Sequence, residues 1–476
     1  MDNTPAAPPP SLNLVELRRA VAFVVNLGAF LTPFMAGSLN LGLPAMGHDL
    51  RMGAGALGWV ASSFLLAAAV GTVPMGRLAD IYGRRRVLLY GNAVFTLASL
   101  LAAFAFSPAF LLVVRVVQGL GGAMLFATGT AMLTSVFPPG ERGRALGNNV
   151  TAVYLGLALG PFAGGFLTQH FGWRSIFVVN FVLGLVLVAV VLWKLRGEWD
   201  EARGEAFDAV GALCYGLTLV LLMLGFSRLA SGVGVALVLA GTAALVAFIL
   251  WELRTRSPVL DVSLFRTHRV FALSNLAALI HYSATFAVTF VLSLFLQSVQ
   301  GLSPQRAGLI LIAQPLMMTL FSPLAGRLSD RTEPRLLASF GMGTTALGVL
   351  ALSFLGPHTS NALVVADLAV LGLGFAFFSS PNTNAVMSTL DKRQLGVGSG
   401  ILGTMRLLGQ NMSMGVVMTV LAQHVGEQPI GPATQHQFLR SLQVVFWVFS
   451  GLGVLGILAS LARGNTAVKK AAPPKG

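Results

Sequence analysis

Fourteen apolar runs, each about as long as a lipid bilayer is thick, decide what this chain can fold into. They lie at roughly 21–45, 56–76, 87–106, 109–133, 146–168, 175–194, 208–226, 232–252, 270–296, 306–326, 335–355, 362–386, 397–422 and 440–462. About 20 apolar residues in helical form cross the hydrocarbon core. In lipid each backbone polar group must bond within its own segment, so the runs are expected to be helices. Only 10% of the 476 residues are charged, too few to cover a soluble protein of this size. The fold class that follows is an all-α integral membrane protein.

The formal net charge is +14, and its distribution argues against nucleic-acid binding. With a cytoplasmic N-terminus, 24 of the 31 Lys and Arg fall in cytoplasmic segments. Arg51, Arg174, Arg228, Arg306 and Arg440 fall outside, and Arg115 and Arg406 lie within spans. Such a bias orients a membrane protein and places both termini in the cytoplasm, here of a cell inner membrane. One cysteine, Cys214, excludes an internal disulfide framework. No short apolar segment with a small-residue cleavage site precedes the first run, which is read as its own targeting signal.

A charged cassette occurs twice. Gly76-Arg77-Leu78-Ala79-Asp80-Ile81-Tyr82-Gly83-Arg84-Arg85 returns 250 residues later as Gly326-Arg327-Leu328-Ser329-Asp330-Arg331-Thr332-Glu333-Pro334-Arg335. The first copy joins runs 2 and 3, and the second joins runs 10 and 11. Setting aside runs 7 and 8 makes these the same loop of two six-span units, as in duplicated secondary transporters. The expected layout is a tail over 1–20, a six-span bundle over 21–194 and a loop over 195–207. Two extra spans over 208–253, a linker over 254–269, a second bundle over 270–462 and a tail over 463–476 complete it.

The cassette resembles the loop signature of the major facilitator superfamily. Arg115-Val116-Val117-Gln118-Gly119-Leu120-Gly121-Gly122 is similar to a second motif of that family. Gly156, Gly160, Pro161, Gly164 and Gly165 resemble the motif associated with its antiporters, and Gly172-Trp173-Arg174 also looks typical. The fourteen-span layout resembles the drug:proton antiporter branch. The resemblance implies two six-helix bundles, alternating access, proton-coupled efflux of hydrophobic compounds, and a gate role for Gly76, Asp80, Gly83, Arg84, Arg85 and Asp330. Physically, Asp80 can pair with Arg84 or Arg85, or face a helix N-terminus of the other bundle; the alternative is that the arginines only anchor topology. In the second copy Glu333-Pro334 replaces Gly83-Arg84, so a weaker latch is expected there. Gly156, Gly160 and Gly164 share one helix face and admit a close neighbour, with a kink at Pro161.

Ionisable and polar side chains inside spans are expensive and are therefore the candidates for substrate and coupling. They are Asn26, Asn40, Arg115, Gln118, His281, Tyr282, Gln314, Asp367, Arg406 and Gln410. Members of the resembled branch usually carry an acid in span 1 shortly before a pattern like Asn-x-Ala-Leu-Pro. Here Asn40, Leu43 and Pro44 match, but Met35 holds the acidic position. Two readings follow. One is a proton-coupled exporter of hydrophobic drugs with coupling moved to Asp367 or His281. The other is an exporter of an organic anion or acidic lipid, with Arg406 holding its charge.

Other classes fit poorly. No Lys follows a Gly, so there is no phosphate loop for an ATP-driven pump. The seven histidines show no metal-ligand spacing and no nucleophile–base pattern. The chain is expected to be no enzyme, to need no cofactor or metal, and to meet a hydrophobic or amphipathic small molecule, protons and the bilayer, as a monomer. A non-transporting sensor or scaffold with the same fold is the distant alternative.

Overall fold

The computed structural model describes residues 14–464 except Arg196, Glu201, Leu229, Ala230, Arg256, Asp261, Asp330, Arg331, 391–394, Glu427 and Pro429. Among these the regular structure is helical. The first bundle holds α1 (Leu14–Asp49), α2 (Ala54–Tyr82), α3 (Arg84–Ala103), α4 (Pro108–Val136), α5 (Pro139–Phe171) and α6 (Arg174–Lys194). Then come α7 (Ala209–Phe226), α8 (Gly232–Glu252) and a short α9 (Ser263–Thr267). The second bundle has α10 (Arg269–Thr285), α11 (Ala287–Leu294), α12 (Pro304–Leu311), α13 (Ala313–Ser329), α14 (Pro334–Leu352), α15 (Asn361–Met387), α16 (Leu395–His424) and α17 (Gln435–Ala462).

Among the described residues thirteen helical segments are long and apolar enough to cross a membrane, and α16 occupies the remaining run expected at 397–422. α1, α2, α4 and α5 overrun their apolar runs at both ends, because polar end turns stay helical outside the hydrocarbon, whereas α3 and α14 stop three residues short of theirs. Two expected spans are broken. Pro315 has no N–H to offer Leu311, and the helix is interrupted at Ile312 between α12 and α13. The span after the linker breaks at Phe286 and ends in a π turn, Phe295–Val299.

The side on which α1 begins and α17 ends is called here the tail face. Four of the helices entering from the far face, α4, α8, α12 and α15, start on serine caps. Ser107, Ser231, Ser303 and Ser360 accept from Phe110, Gly234, Arg306 and Leu363 N–H groups. The duplication is repeated in the packing. Gly91 of α3 meets Gly121 of α4 backbone to backbone, and Gly341 of α14, 250 residues after Gly91, meets Gly374 of α15. On the far face Asp49 accepts from Arg174 Nη1 at 2.5 Å and Trp173 Nε1 at 3.1 Å, while Arg174 Nη2 donates to Ala105 O. The Gly172-Trp173-Arg174 motif thus fastens α1 and the end of α3 to α6.

The extra helices lie beside α2 and α16. Tyr215 of α7 donates to Ala69 O of α2 at 3.1 Å, and Thr419 of α16 donates to Phe226 O at 2.6 Å. α8 leans on α7 through Gly225 and Gly241 and is otherwise largely exposed.

Candidate translocation site

Between described residues, the hydrogen bonds joining the two bundles lie at mid-depth or toward the far face. Ser62 of α2 donates to Met418 Sδ of α16, Ser293 of α11 donates to Asn40 O of α1, and Gln305 N of α12 donates to Gln169 Oε1 of α5. Tyr154 of α5 donates to Ser379 Oγ of α15 at 3.3 Å at mid-depth. Gly165 lies against Pro304 and Gln305, and Gly308 lies against Pro161. On the tail face the ion pairs stay within one bundle and its adjoining loop: Asp80–Arg84, Arg77–Glu205, Arg18–Glu141 and Glu333–Arg335.

The antiporter-like motif carries this closure. A β-carbon on Gly156 would lie 2.5 Å from Phe30 O, on Gly160 2.9 Å from Phe34 O, and on Gly164 2.6 Å from Ser38 O. These three glycines bring α5 onto the backbone of α1, and Ser38 Oγ donates to Gly160 O at 3.0 Å. Gly165 faces α12 instead, and Pro161 touches both, its ring lying against Gly37 of α1 and its carbonyl against Gly308 of α12. One short segment therefore packs against its own bundle with one face and against the other bundle with the next.

At mid-depth a cluster forms around Tyr282. The Arg406 guanidinium carbon sits 5.6 Å from the Tyr282 ring centroid, a cation–π arrangement. Arg406 Nη2 donates to Thr383 Oγ1 at 3.3 Å, and Thr383 donates to Ser379 O. Phe375 stands edge-on to Tyr282 at 5.3 Å, and His281 stacks on Phe378 at 3.9 Å. Among the described residues Arg406 Nε and His281 Nε2 are buried without a hydrogen-bond partner, and no carboxylate pairs with Arg406. His281, Tyr282 and Arg406 are thus together, with Gln410 one turn along α16 and half-buried. Tyr154, Phe375, Ser379 and Thr383 were not among the sequence candidates. Tyr154 had a signal: tyrosine favours membrane interfaces, and this one lies mid-span.

The other candidates are placed apart. Arg115 is fully buried inside the first bundle. Its Nε donates to Val60 O at 2.9 Å, its Nη1 to Gln118 Oε1, and its guanidinium lies over Phe64. Gln118 continues the chain to Ser99. Asn26 accepts from Asn149 between α1 and α5. Gln314 accepts from Thr289 at 3.4 Å. Asp367 faces Gly348 of α14 on the flank of the second bundle, with Oδ2 buried and unpartnered among the described residues. Met35, in place of an acid, is buried in the apolar core of the first bundle.

In the first cassette Arg84 is buried and donates from Nε to Asp80 Oδ1 at 2.9 Å and from Nη1 to Ser135 of α4 at 2.5 Å. Gly76 lies 3.6 Å, by its missing β-carbon, from Ala127. The 195–207 loop is laid on the cassette: Ala202 N donates to Asp80 O, Arg84 N to Trp199 O and Arg85 Nε to Leu195 O. Asp330 lies outside the described residues. The second cassette holds Glu333 and Arg335 as a pair at 3.2 Å.

The sequence matches the profile of the Major Facilitator Superfamily over residues 25–208 and 274–476. It is 32% identical over 424 residues to the multidrug resistance protein Stp of Mycobacterium tuberculosis (strain ATCC 25618 / H37Rv), covering 86% of this chain and 77% of that protein. It is 34% identical over 444 residues to the cephamycin export protein CmcT of Amycolatopsis lactamdurans, covering 89% and 90%. Its fold is similar to that of a D-xylose-proton symporter, with a TM-score of 0.67 at 15% identity over 94% of this chain and 98% of the other.

Proposed function

Because the chain belongs to the major facilitator superfamily, and is therefore a multi-pass membrane transporter and not an enzyme, we propose that it exports small hydrophobic or amphipathic compounds by proton-coupled antiport. The observation that carries this reading is the side-chain cluster at the interface of the two bundles, Tyr154, Tyr282, Ser379 and Arg406, below a seal on the far face. Substrate enters from the tail face, binds at the cluster, and leaves when the far-face contacts part and the tail face closes. The charge bias makes the tail face cytoplasmic, with both termini inside the cell membrane. The first cassette serves the tail-face gate, Asp80 and Arg84 holding its shape, with Asp330 in the matching place of the second. The chain acts as a monomer. Its likeness to a multidrug resistance protein and to a cephamycin export protein supports efflux as the direction.

His281 and Asp367 are the proposed proton carriers, since each has a buried, unpartnered atom able to take a proton. His281 adjoins Tyr282 in the cluster, so its protonation is felt by the bound molecule; Asp367 acts from the flank through α14 and α15.

One observation favours a second reading. Arg406 brings a positive charge and a bare Nε to the cluster, and no described carboxylate answers it. An amphipathic organic anion would supply the missing acceptor while its apolar part lies on Phe375 and Tyr282. Uptake by inside-out vesicles under an imposed pH gradient separates the readings. A lipophilic cation taken up independently of Arg406 establishes the drug:proton exporter. Uptake of the anion alone, lost in Arg406→Ala, establishes the second. Uptake of neither compound under the gradient removes both.

A further inference from the structure

We propose that Glu198 is a positioning residue of the tail-face gate: its carboxylate stands where Gly83 lacks a side chain, caps α3 from outside that helix, and holds the first cassette in shape.

The first four N–H groups of a helix have no partner within it, and its N-terminus repels cations. α3 begins with three arginines, the wrong charge for that end. Gly83, its N-cap residue, has no side chain with which to accept. The shortfall is met by the loop. Glu198 Oε1 accepts from Arg85 N at 2.7 Å and from Arg86 N at 3.4 Å, and Oε2 lies 3.5 Å from Arg86 Nε. Trp199 O accepts from Arg84 N at 2.9 Å, and Gly83 N donates back to Ala79 O of α2 at 2.9 Å. All four leading N–H groups are thereby satisfied, two of them by one carboxylate.

The fit explains the glycine. Gly83 has φ +111, a conformation that side chains rarely adopt, and a β-carbon there would be 2.5 Å from Glu198 Oε1. The loop and the glycine are two halves of one joint.

The second cassette supplies an independent comparison. The residue matching Gly83 is Glu333, the N-cap residue of α14, and the residue matching Arg85 is Arg335. Glu333 and Arg335 are paired at 3.2 Å. Both gate hairpins therefore carry a part-buried carboxylate at the start of the following helix. In the second copy it comes from the cassette, and in the first it is lent by a residue more than a hundred positions away.

Further contacts fasten the loop beside Glu198. Arg77 donates to Glu205 at 2.5 Å, and Ser257 of the linker donates to the same Glu205 oxygen at 3.5 Å. The cassette, the loop and the linker to the second bundle form one connected surface. Removing the Glu198 carboxylate leaves the Arg85 and Arg86 N–H groups without this acceptor and the Arg86 side chain without its ion pair. The cassette then loosens, and the tail-closed state, which requires it to meet the other bundle, loses population.

This inference rests on the reading of the cassette as a gate, and its test needs no substrate. Spin labels at Tyr90→Cys and Phe340→Cys, matching exposed positions of α3 and α14, report the separation of the two bundles in the full chain carrying Cys214→Ser. Glu198→Ala is expected to lower the short-distance component at least threefold, Glu198→Gln to give a smaller loss, and Glu198→Asp to return it to within twofold of the parent. If the alanine form fails to fold, the glutamine form decides. A parental distance distribution in the folded Glu198→Gln form, or in the folded Glu198→Ala form, overturns the proposal. A parent that exports no compound but shows the Glu198 response removes the export reading and leaves this one standing.

Discussion

Tyr154 of α5 donates its phenolic hydrogen to Ser379 of α15 at 3.3 Å, so that a residue of the first bundle touches the second at the depth of Arg406. A contact there must break whenever the bundles exchange faces. Tyr154→Phe keeps the ring and removes one bond, worth about 1 kcal/mol, or about fivefold in an equilibrium. The ratio of tail-open to tail-closed molecules should fall by that factor, with the melting temperature nearly unchanged. The Tyr90–Phe340 label distances read it directly, and an unaltered ratio would assign the bond no part in choosing the state.

Asp80→Asn removes the charge that holds Arg84 while keeping the shape of the side chain. Transport should drop at least tenfold with membrane yield and melting temperature close to the parent, because the pair lies in a loop-facing joint and not in the apolar core. Parental transport rates in this variant would remove Asp80 from the gate.

Arg406→Ala should abolish binding of an amphipathic organic anion, and Arg406→Lys should weaken it roughly tenfold, because the ammonium lacks the planar fork. Binding of a lipophilic cation should be unaffected. Titration of purified protein with fluorescent members of both classes checks this; an anion that binds the alanine form as tightly as the parent must sit elsewhere.

His281→Ala and Asp367→Asn divide the coupling role. The variant that loses the proton carrier should still move substrate down its own gradient but no longer respond to a pH gradient. Dye fluorescence reporting proton release from loaded vesicles distinguishes them. Retained coupling in both would place the proton site outside these two residues.

Gly164→Ala drives a β-carbon into the Ser38 backbone of α1, which cannot rotate away. A loss of about 1–3 kcal/mol in stability is expected from such overpacking. Gly147→Ala, on the same helix with nothing within 4 Å of the added carbon, should be neutral or gain up to about 1 kcal/mol. Thermal melts of the pair in detergent test the contrast, and equal losses would show that helix propensity and not the α1 contact sets the response.

The helices and the duplication were legible because hydropathy and the recurring cassette are local signals. For Asp80 the charges of the cassette offered Arg84, Arg85 or a helix N-terminus of the other bundle; the turn at Gly83, which puts Asp80 on α2 and Arg84 on α3, is what selects Arg84. Arg115 illustrates the limit. Its cost in lipid marks it from sequence and Gln118 lies one turn along the same helix, yet nothing local says that Val60 O of α2 takes its Nε. Tyr154 and Ser379 come together only when two halves 225 residues apart are docked, and no periodicity encodes that. Glu198 was hidden for the same reason, appearing in sequence as one more charge in a polar connector.

The joint at Gly83 also changes what the 195–207 segment is. A stretch rich in charges between two membrane units looks like spare length, the natural place to splice a tag, a protease site or a fluorescent partner. Between Lys194, where α6 ends, and Glu198 there are only three residues, and the carboxylate must arrive at α3 in register. The segment behaves as a ruler. Adding even one residue ahead of Glu198 should disable the carrier while leaving every helix intact.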